Sequence, residues 1–254
     1  MTTTHFLSDT ADLTGRSLRH ITRSVDTIIT TVMTPVAIMV LFVYVFGGAI
    51  DTGSVSYVDY MLPGILLITI ASGIAYTAVR LFSDMHTGIF ERFQSMPIAR
   101  SGFLWAHVLT SLVANVISLV IVVLVAVLMG FRSSASPAAW AAVAAILLLF
   151  TLGLTWLAVI PGLTAKSVDG AGAFAYPLIF LPFISSAFVP TDTMPGPVQA
   201  FADHQPVTSI VNTIRDLFTG APAGGDLWIA FGWCLGLLGV AWALALATYR
   251  RKLG

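Results

Sequence analysis

The chain has 254 residues, of which 57% are hydrophobic and only 9% are Asp, Glu, Lys or Arg, against about 25% charged in soluble domains. That inventory cannot cover a water-soluble surface, and a mean hydropathy of +0.92 with long apolar blocks reads as a polytopic membrane protein. Twelve basic and twelve acidic residues cancel, so net charge points to no nucleic-acid partner. The sole cysteine, Cys234, excludes an internal disulfide and a cysteine-based metal cluster.

The N-terminal segment 13–28 places Leu18, Ile21, Val25 and Ile28 on one helical face, with Arg16, Arg19 and Arg23 opposite. Such a helix can lie in the cytoplasmic interface against anionic headgroups; the same residues also suit an ordinary basic flank of the first span. That span reads as uncleaved.

Six apolar blocks follow, at residues 28–50, 60–82, 103–129, 138–160, 171–189 and 227–248. Each is long enough for a tilted helix that satisfies its own backbone in lipid. Pro177, Pro182 and Pro190 interrupt the fifth, which predicts a kink there. Ten of the twelve basic residues fall in segments placed inside, leaving only Arg132 and Arg215 outside. Both termini are therefore expected in the cytoplasm, with loops 51–59, 131–137 and 190–226 outside. Trp105, Trp140, Trp156 and Trp228 fall near predicted span ends, at headgroup level, whereas Trp233 and Trp242 sit deeper, where they would pack inside the bundle. Residues 1–254 read as a single membrane domain.

The cytoplasmic connection 83–101 is the densest charged segment. It holds the chain's only glutamate, Glu91, with Phe90 and Phe93 on one side of a short helix that Pro97 stops before Arg100. Apolar residues beside charges suit docking onto a soluble partner, although a solvated turn has the same composition. In the last external loop, pieces 197–202 and 206–218 are too short to span. Val207, Ile210, Val211, Ile214, Leu217 and Phe218 repeat there at helical spacing, as in a re-entrant or interfacial helix, or a cap on the membrane surface.

Chemistry-bearing patterns are sparse. The nearest approach to a P-loop, Leu163-Thr164-Ala165-Lys166-Ser167, lacks the required glycines, so this chain is expected to bind no nucleotide itself. No charge sits clearly at mid-bilayer, which leaves an ion-driven relay without residues. His107 and Asn115 in the third block are expected to bond a neighbouring helix. Five scattered histidines and the absence of H-E-x-x-H argue against a membrane-embedded enzyme. A substrate path would have to be apolar and aromatic; its candidates are Tyr44, Phe46, Tyr76, Phe174, Tyr176, Phe180, Phe183 and Phe188.

Glu91-Arg92, followed by Pro97-Ile98-Ala99-Arg100, resembles the "E-R … P-(I/V)-(S/A)-R" signature of ABC type 2 exporter membrane subunits, especially the daunorubicin-resistance type of multidrug permease. Gln205-Pro206-Val207-Thr208 with Asn212, Arg215 and Gly220 is similar to the element that precedes the last span in that family. The resemblance covers nearly the whole chain. It implies an all-α membrane fold of six transmembrane helices, an N-terminal cytoplasmic interfacial helix and an external re-entrant helical hairpin before the last span.

For function, the resemblance implies a non-catalytic permease in the cell membrane of a bacterium, exporting hydrophobic or amphiphilic compounds. It would pair with a second permease half, identical or related, and with two copies of a cytosolic ABC ATPase that binds ATP and Mg. The connection 84–101 would be a coupling helix, with Phe90, Glu91, Arg92, Phe93, Met96 and Arg100 against the ATPase. Rival readings are an exporter of lipid-linked glycans or other lipids on the same scaffold, a membrane-embedded enzyme and an ion-coupled carrier.

Overall fold

The computed structural model describes residues 25–48, 56–87, 102–222 and 224–253, and every regular element among them is helical. In chain order these are α1 (Val25–Leu41), which runs on as a π-helical turn (Phe42–Phe46), α2 (Tyr57–His86), α3 (Gly102–Leu128) and α4 (Pro137–Thr164). Next come α5 (Val168–Ala173), α6 (Ala175–Phe180) with a 3-10 turn (Leu181–Ile184), and a second 3-10 turn (Thr191–Thr193). The chain closes with α7 (Gly196–His204), α8 (Pro206–Thr219) and α9 (Asp226–Leu253).

Local chemistry sets the helix starts. Ser56 and Ser136 are extended residues whose hydroxyl oxygens accept from the Asp59 and Ala139 amides at 3.3 and 3.2 Å, filling donors that the first turns of α2 and α4 leave open. Pro137 begins α4, where its missing N–H costs nothing. At the far end of α8, Gly220 takes a left-handed φ of 74° and donates back to the Leu217 carbonyl, a helix stop that suits glycine.

Four helices, α2, α3, α4 and α9, are long and apolar enough to cross a bilayer. With 30, 27, 28 and 28 residues, each is about 40 Å long or more. The first and fifth of the six predicted blocks instead form shorter apolar helices, Thr31–Phe46 and Val168–Ile184. In the fifth the cause is proline. Pro177 offers no N–H to the Ala173 carbonyl, and the helix breaks at Phe174, tightens to 3-10 from Leu181 and becomes extended at Ser185. The expected kink is thus a break into short pieces.

Around α2 the bundle assembles: it touches α1, α3, α4, α5, α6 and α8. Met61, Leu62, Ile65, Leu66, Ile68, Ile70, Ile74 and Leu81 along it have no exposed surface. Small residues let neighbours close in on it, as is usual where lipid removes much of the hydrophobic drive between helices. Gly64 faces Ala187, and Gly162 of α4 faces Leu81 and the Ala78 carbonyl. By contrast α3 and α9 turn one apolar side outward, with Val120, Leu124 and Leu128 on the first and Trp228, Val240 and Leu244 on the second. Cys234, deep in α9, is buried against the Ile146 carbonyl.

Two tryptophan expectations are corrected. Trp156 is only 1% exposed and packs edge-on against Trp105 at 5.2 Å, because α4 continues to Thr164 and places the indole two turns inside its end. Trp233 and Trp242, expected deeper, lie on the outward side of α9 and are each 46% exposed.

A methyl group at Gly64 would meet the Ala187 Cβ at 2.5 Å, whereas one at Gly232 of α9 would meet nothing within 4 Å. Gly64→Ala is therefore expected to destabilise the protein by about 1–3 kcal/mol through overpacking. Thermal unfolding in detergent checks this, with Gly232→Ala matching or exceeding the parent.

Candidate functional site

Two polar assemblies sit at opposite ends of the bundle. The first joins the facing sides of α2 and α3, whose inner ends flank the connection 88–101. The Thr77 hydroxyl donates to Ser111 Oγ at 2.6 Å. Asn115, 1% exposed, donates to the Ser111 carbonyl at 3.0 Å and packs its amide against Gly73. Closer to the connection, His107 Nε2 lies 3.2 Å from Asp84 Oδ2, with the Phe103 ring edge-on to the imidazole at 4.8 Å. One turn on, His86 stacks on Phe82 and places Nδ1 at 2.8 Å from the Phe82 carbonyl. His107 thus pairs across to α2 as expected from a polar residue in an apolar helix, whereas Asn115 hydrogen-bonds back to its own helix and meets α2 only by packing at Gly73.

The second assembly lies where α7 and α8 fold onto the opposite end of the bundle. All six residues of the predicted apolar face of α8, Val207, Ile210, Val211, Ile214, Leu217 and Phe218, are buried, and the helix packs on α2, α4 and α9. Arg215 holds it. Its Nε donates to the Tyr60 carbonyl at 3.1 Å, one terminal nitrogen to Asn212 Oδ1 at 2.9 Å and the other to the Ser186 carbonyl at 2.6 Å. The guanidinium carbon lies 3.8 Å from the centre of the Tyr60 ring, within cation–π range. Ser186 Oγ completes the set by donating to Asn212 Oδ1 at 2.6 Å. Burial pulls the Arg215 pKa down, and the Tyr60 and Asp216 side chains oppose that shift.

The remaining residues of the second sequence motif have local reasons. Gln205 Nε2 donates to the Ile184 carbonyl at 2.7 Å, satisfying an acceptor where the proline-broken segment stops being helical. Pro206 opens α8. Across the turn at Gly220, Ser133 Oγ donates to the Phe218 carbonyl at 2.9 Å and Ser134 Oγ to the Thr219 carbonyl at 2.7 Å, so the last acceptors of α8 are filled from the α3–α4 turn.

The proposed aromatic path is only partly brought together. Phe180, Phe183 and Phe188 form a run in which Phe183 and Phe188 stack at 4.7 Å and Phe180 lies 6.2 Å from Phe183. Phe46 joins through Phe42, which contacts Phe46, Phe183 and Phe188 at 5.3, 6.3 and 4.9 Å. Phe174 lies apart, lining a largely apolar cavity of about 280 Å³ with Leu157, Ile160, Pro161, Thr164, Pro177 and Leu178. Tyr44, Tyr76 and Tyr176 are exposed. Of the coupling residues, Phe90, Glu91, Arg92, Phe93, Met96 and Arg100 all lie outside the described residues, as do residues 13–24 of the N-terminal amphipathic segment.

For a helical bundle of long apolar spans with a short buried helix packed on it, comparison with known proteins decides the family: the family model described as ABC-2 type transporter matches residues 11–219. The chain belongs to the ABC-2 type transporter family. It is 28% identical over 229 residues to the daunorubicin resistance ABC transporter permease protein DrrB1 of Streptomyces coeruleorubidus, covering 89% of this chain and 80% of that one. It is 27% identical over 258 residues to the probable doxorubicin resistance ABC transporter permease protein DrrC of Mycobacterium tuberculosis, covering 97% of this chain and 90% of that one. This ABC-2 protein is accordingly a multi-pass membrane permease.

Sequence reading missed Phe42, the hub of the aromatic cluster, and the Asp84–His107 pair. Phe42 carries no signal beyond being one more apolar residue in the first block. Asp84 did offer one, as an acid just inside the end of a span with one histidine on the next. For Arg215, replacement by alanine would leave the Ser186 carbonyl and Asn212 without their charged donor, at a cost on the order of 3 kcal/mol. Arg215→Lys should recover only part of this, because an ammonium cannot reproduce the guanidinium fork. Melting temperatures of the three proteins in detergent check the order.

Proposed function

We propose that this chain is the non-catalytic permease half of an ABC exporter that moves hydrophobic or amphiphilic compounds, of drug, antibiotic or lipid-like character, out of a bacterial cell. The observation that carries the reading is the ABC-2 match over residues 11–219, together with relatives whose names describe daunorubicin and doxorubicin resistance permeases. Two copies of a cytosolic ABC ATPase, holding ATP and Mg, would supply the work, and a second permease half would complete the pathway. Six spans make up this half. The four long helices are joined by α1 with its π-helical turn, 17 and 5 residues or about 30 Å together, and by the proline-broken α5–α6 segment. Both termini then face the cytoplasm, as the basic residues favour, and α7–α8 form an external hairpin that dips toward the bilayer.

In this reading the coupling element is the part of the connection 84–101 that lies beyond the end of α2 at His86. ATP-driven closure of the motor subunits displaces it, and α2 and α3 carry the displacement into the bundle. A device of this kind needs different contacts in the two motor states. Phe90, Glu91, Arg92, Phe93, Met96 and Arg100 would make them. Aromatic surface from Phe46, Phe180, Phe183 and Phe188, with the exposed Tyr44, Tyr76 and Tyr176 and the cavity residue Phe174, suits a path for greasy, partly polar cargo. An exporter of lipid-linked glycans on the same scaffold would need a wider passage.

Replacing Glu91 and Arg92 together by alanine is expected to reduce copurification of the ATPase and export of a lipophilic dye by about tenfold, the scale of a lost coupling free energy. Pulldown and proteoliposome transport measure both. Full transport by the purified permease in vesicles lacking any ATPase would overturn the reading.

A further inference from the structure

The end of α2 and the start of α3 are the two arms through which any displacement of their connection must enter the membrane. Asp84 stands two residues before the end of α2 and His107 five residues into α3. Their side chains meet at 3.2 Å, with His107 only 7% and Asp84 25% exposed. Two turns further in, Thr77 and Ser111 repeat the contact, and one turn beyond that Asn115 fills the notch at Gly73. The arms are therefore tied at three levels along one seam, with the Asp84–His107 contact nearest the connection. Stability alone is a weak reason for such a tie, since well-packed apolar residues in place of a buried ion pair are often as stable. What a pair of fixed direction adds is register between two helices.

We infer that Asp84 and His107 are positioning residues that lock the inner ends of α2 and α3 into one lever, so that displacement of their connection moves the two helices together instead of prising them apart. This rests on the reading that the connection is driven by an ATPase. The pair is not a contact surface for that partner, and breaking it should waste hydrolysis without weakening association. Arg80, one turn before Asp84 on α2, keeps a positive charge beside the carboxylate when the histidine is removed.

The test uses the full permease with its copurifying ATPase in proteoliposomes, comparing Asp84→Ala, His107→Ala and the exchange Asp84→His with His107→Asp. The expected result is unchanged ATPase copurification in all three. Ethidium moved per ATP hydrolysed should fall by about tenfold in each single variant and recover to within a few-fold in the exchange. A second readout is independent of cargo: spin labels at Ala75 and Val113, partly exposed and exposed positions on α2 and α3, in a Cys234→Ala background. Their separation should stay constant between nucleotide-free and Mg-ATP-vanadate states in the parent, and change in Asp84→Ala. An unchanged transport ratio in the single variants, or a parent whose label separation shifts with nucleotide, overturns this inference alone. Failure of any ATPase to copurify with the parent overturns the function beneath it as well.

Discussion

A polar group withdrawn from water inside this bundle is costly unless it finds a partner in the protein, because lipid offers none. That constraint accounts for the most specific contacts in the structure. Arg215 hands donors to the carbonyls of Tyr60 and Ser186, Gln205 meets the Ile184 carbonyl, and Ser133 and Ser134 take up the end of α8. The apolar contacts are many and individually interchangeable, whereas these few polar ones fix which helix end meets which loop. The short helix α8 is placed by both kinds at once, greasy on one side and pinned by a guanidinium.

The same constraint explains where the fold departs from regular helices. Proline denies the backbone a donor, so the segment around Pro177 and Pro182 cannot run as one helix and ends in extended backbone. Its acceptors are met from elsewhere, the Ile184 carbonyl by Gln205 and the Ser186 carbonyl by Arg215. This irregular stretch also carries Phe180, Phe183 and Phe188, so the aromatic cluster sits on the part of the chain with the least regular backbone. Tight helix contacts elsewhere depend on the smallest side chains, at Gly64 and Gly162.

Long apolar blocks made α2, α3, α4 and α9 legible from the sequence, because lipid-length hydrophobicity is a property of composition alone. The buried face of α8 was equally legible, since Val207, Ile210, Val211, Ile214, Leu217 and Phe218 follow helical spacing. Less legible was depth. Hydropathy does not mark where a helix ends to within a turn or two, so Trp156 was placed at an interface and lies in the core, while Trp233 and Trp242 face outward. Contacts between distant residues were illegible for a different reason. Nothing in the spacing of Phe42 and Phe188 says that the fold brings them together. Arg215 could be read as a motif residue, but its partners on α2 and after α6 could not.

At the other extremity, Lys252 in the final turn of α9 donates its ammonium to the Leu163 carbonyl in the final turn of α4. Two helices that run side by side are thereby made to finish level, and Lys166 follows within three residues of that carbonyl. The result is a ruler mark. A cation held to a helix-end carbonyl and kept out of hydrocarbon opposes vertical slippage of α4 against α9 at the rim.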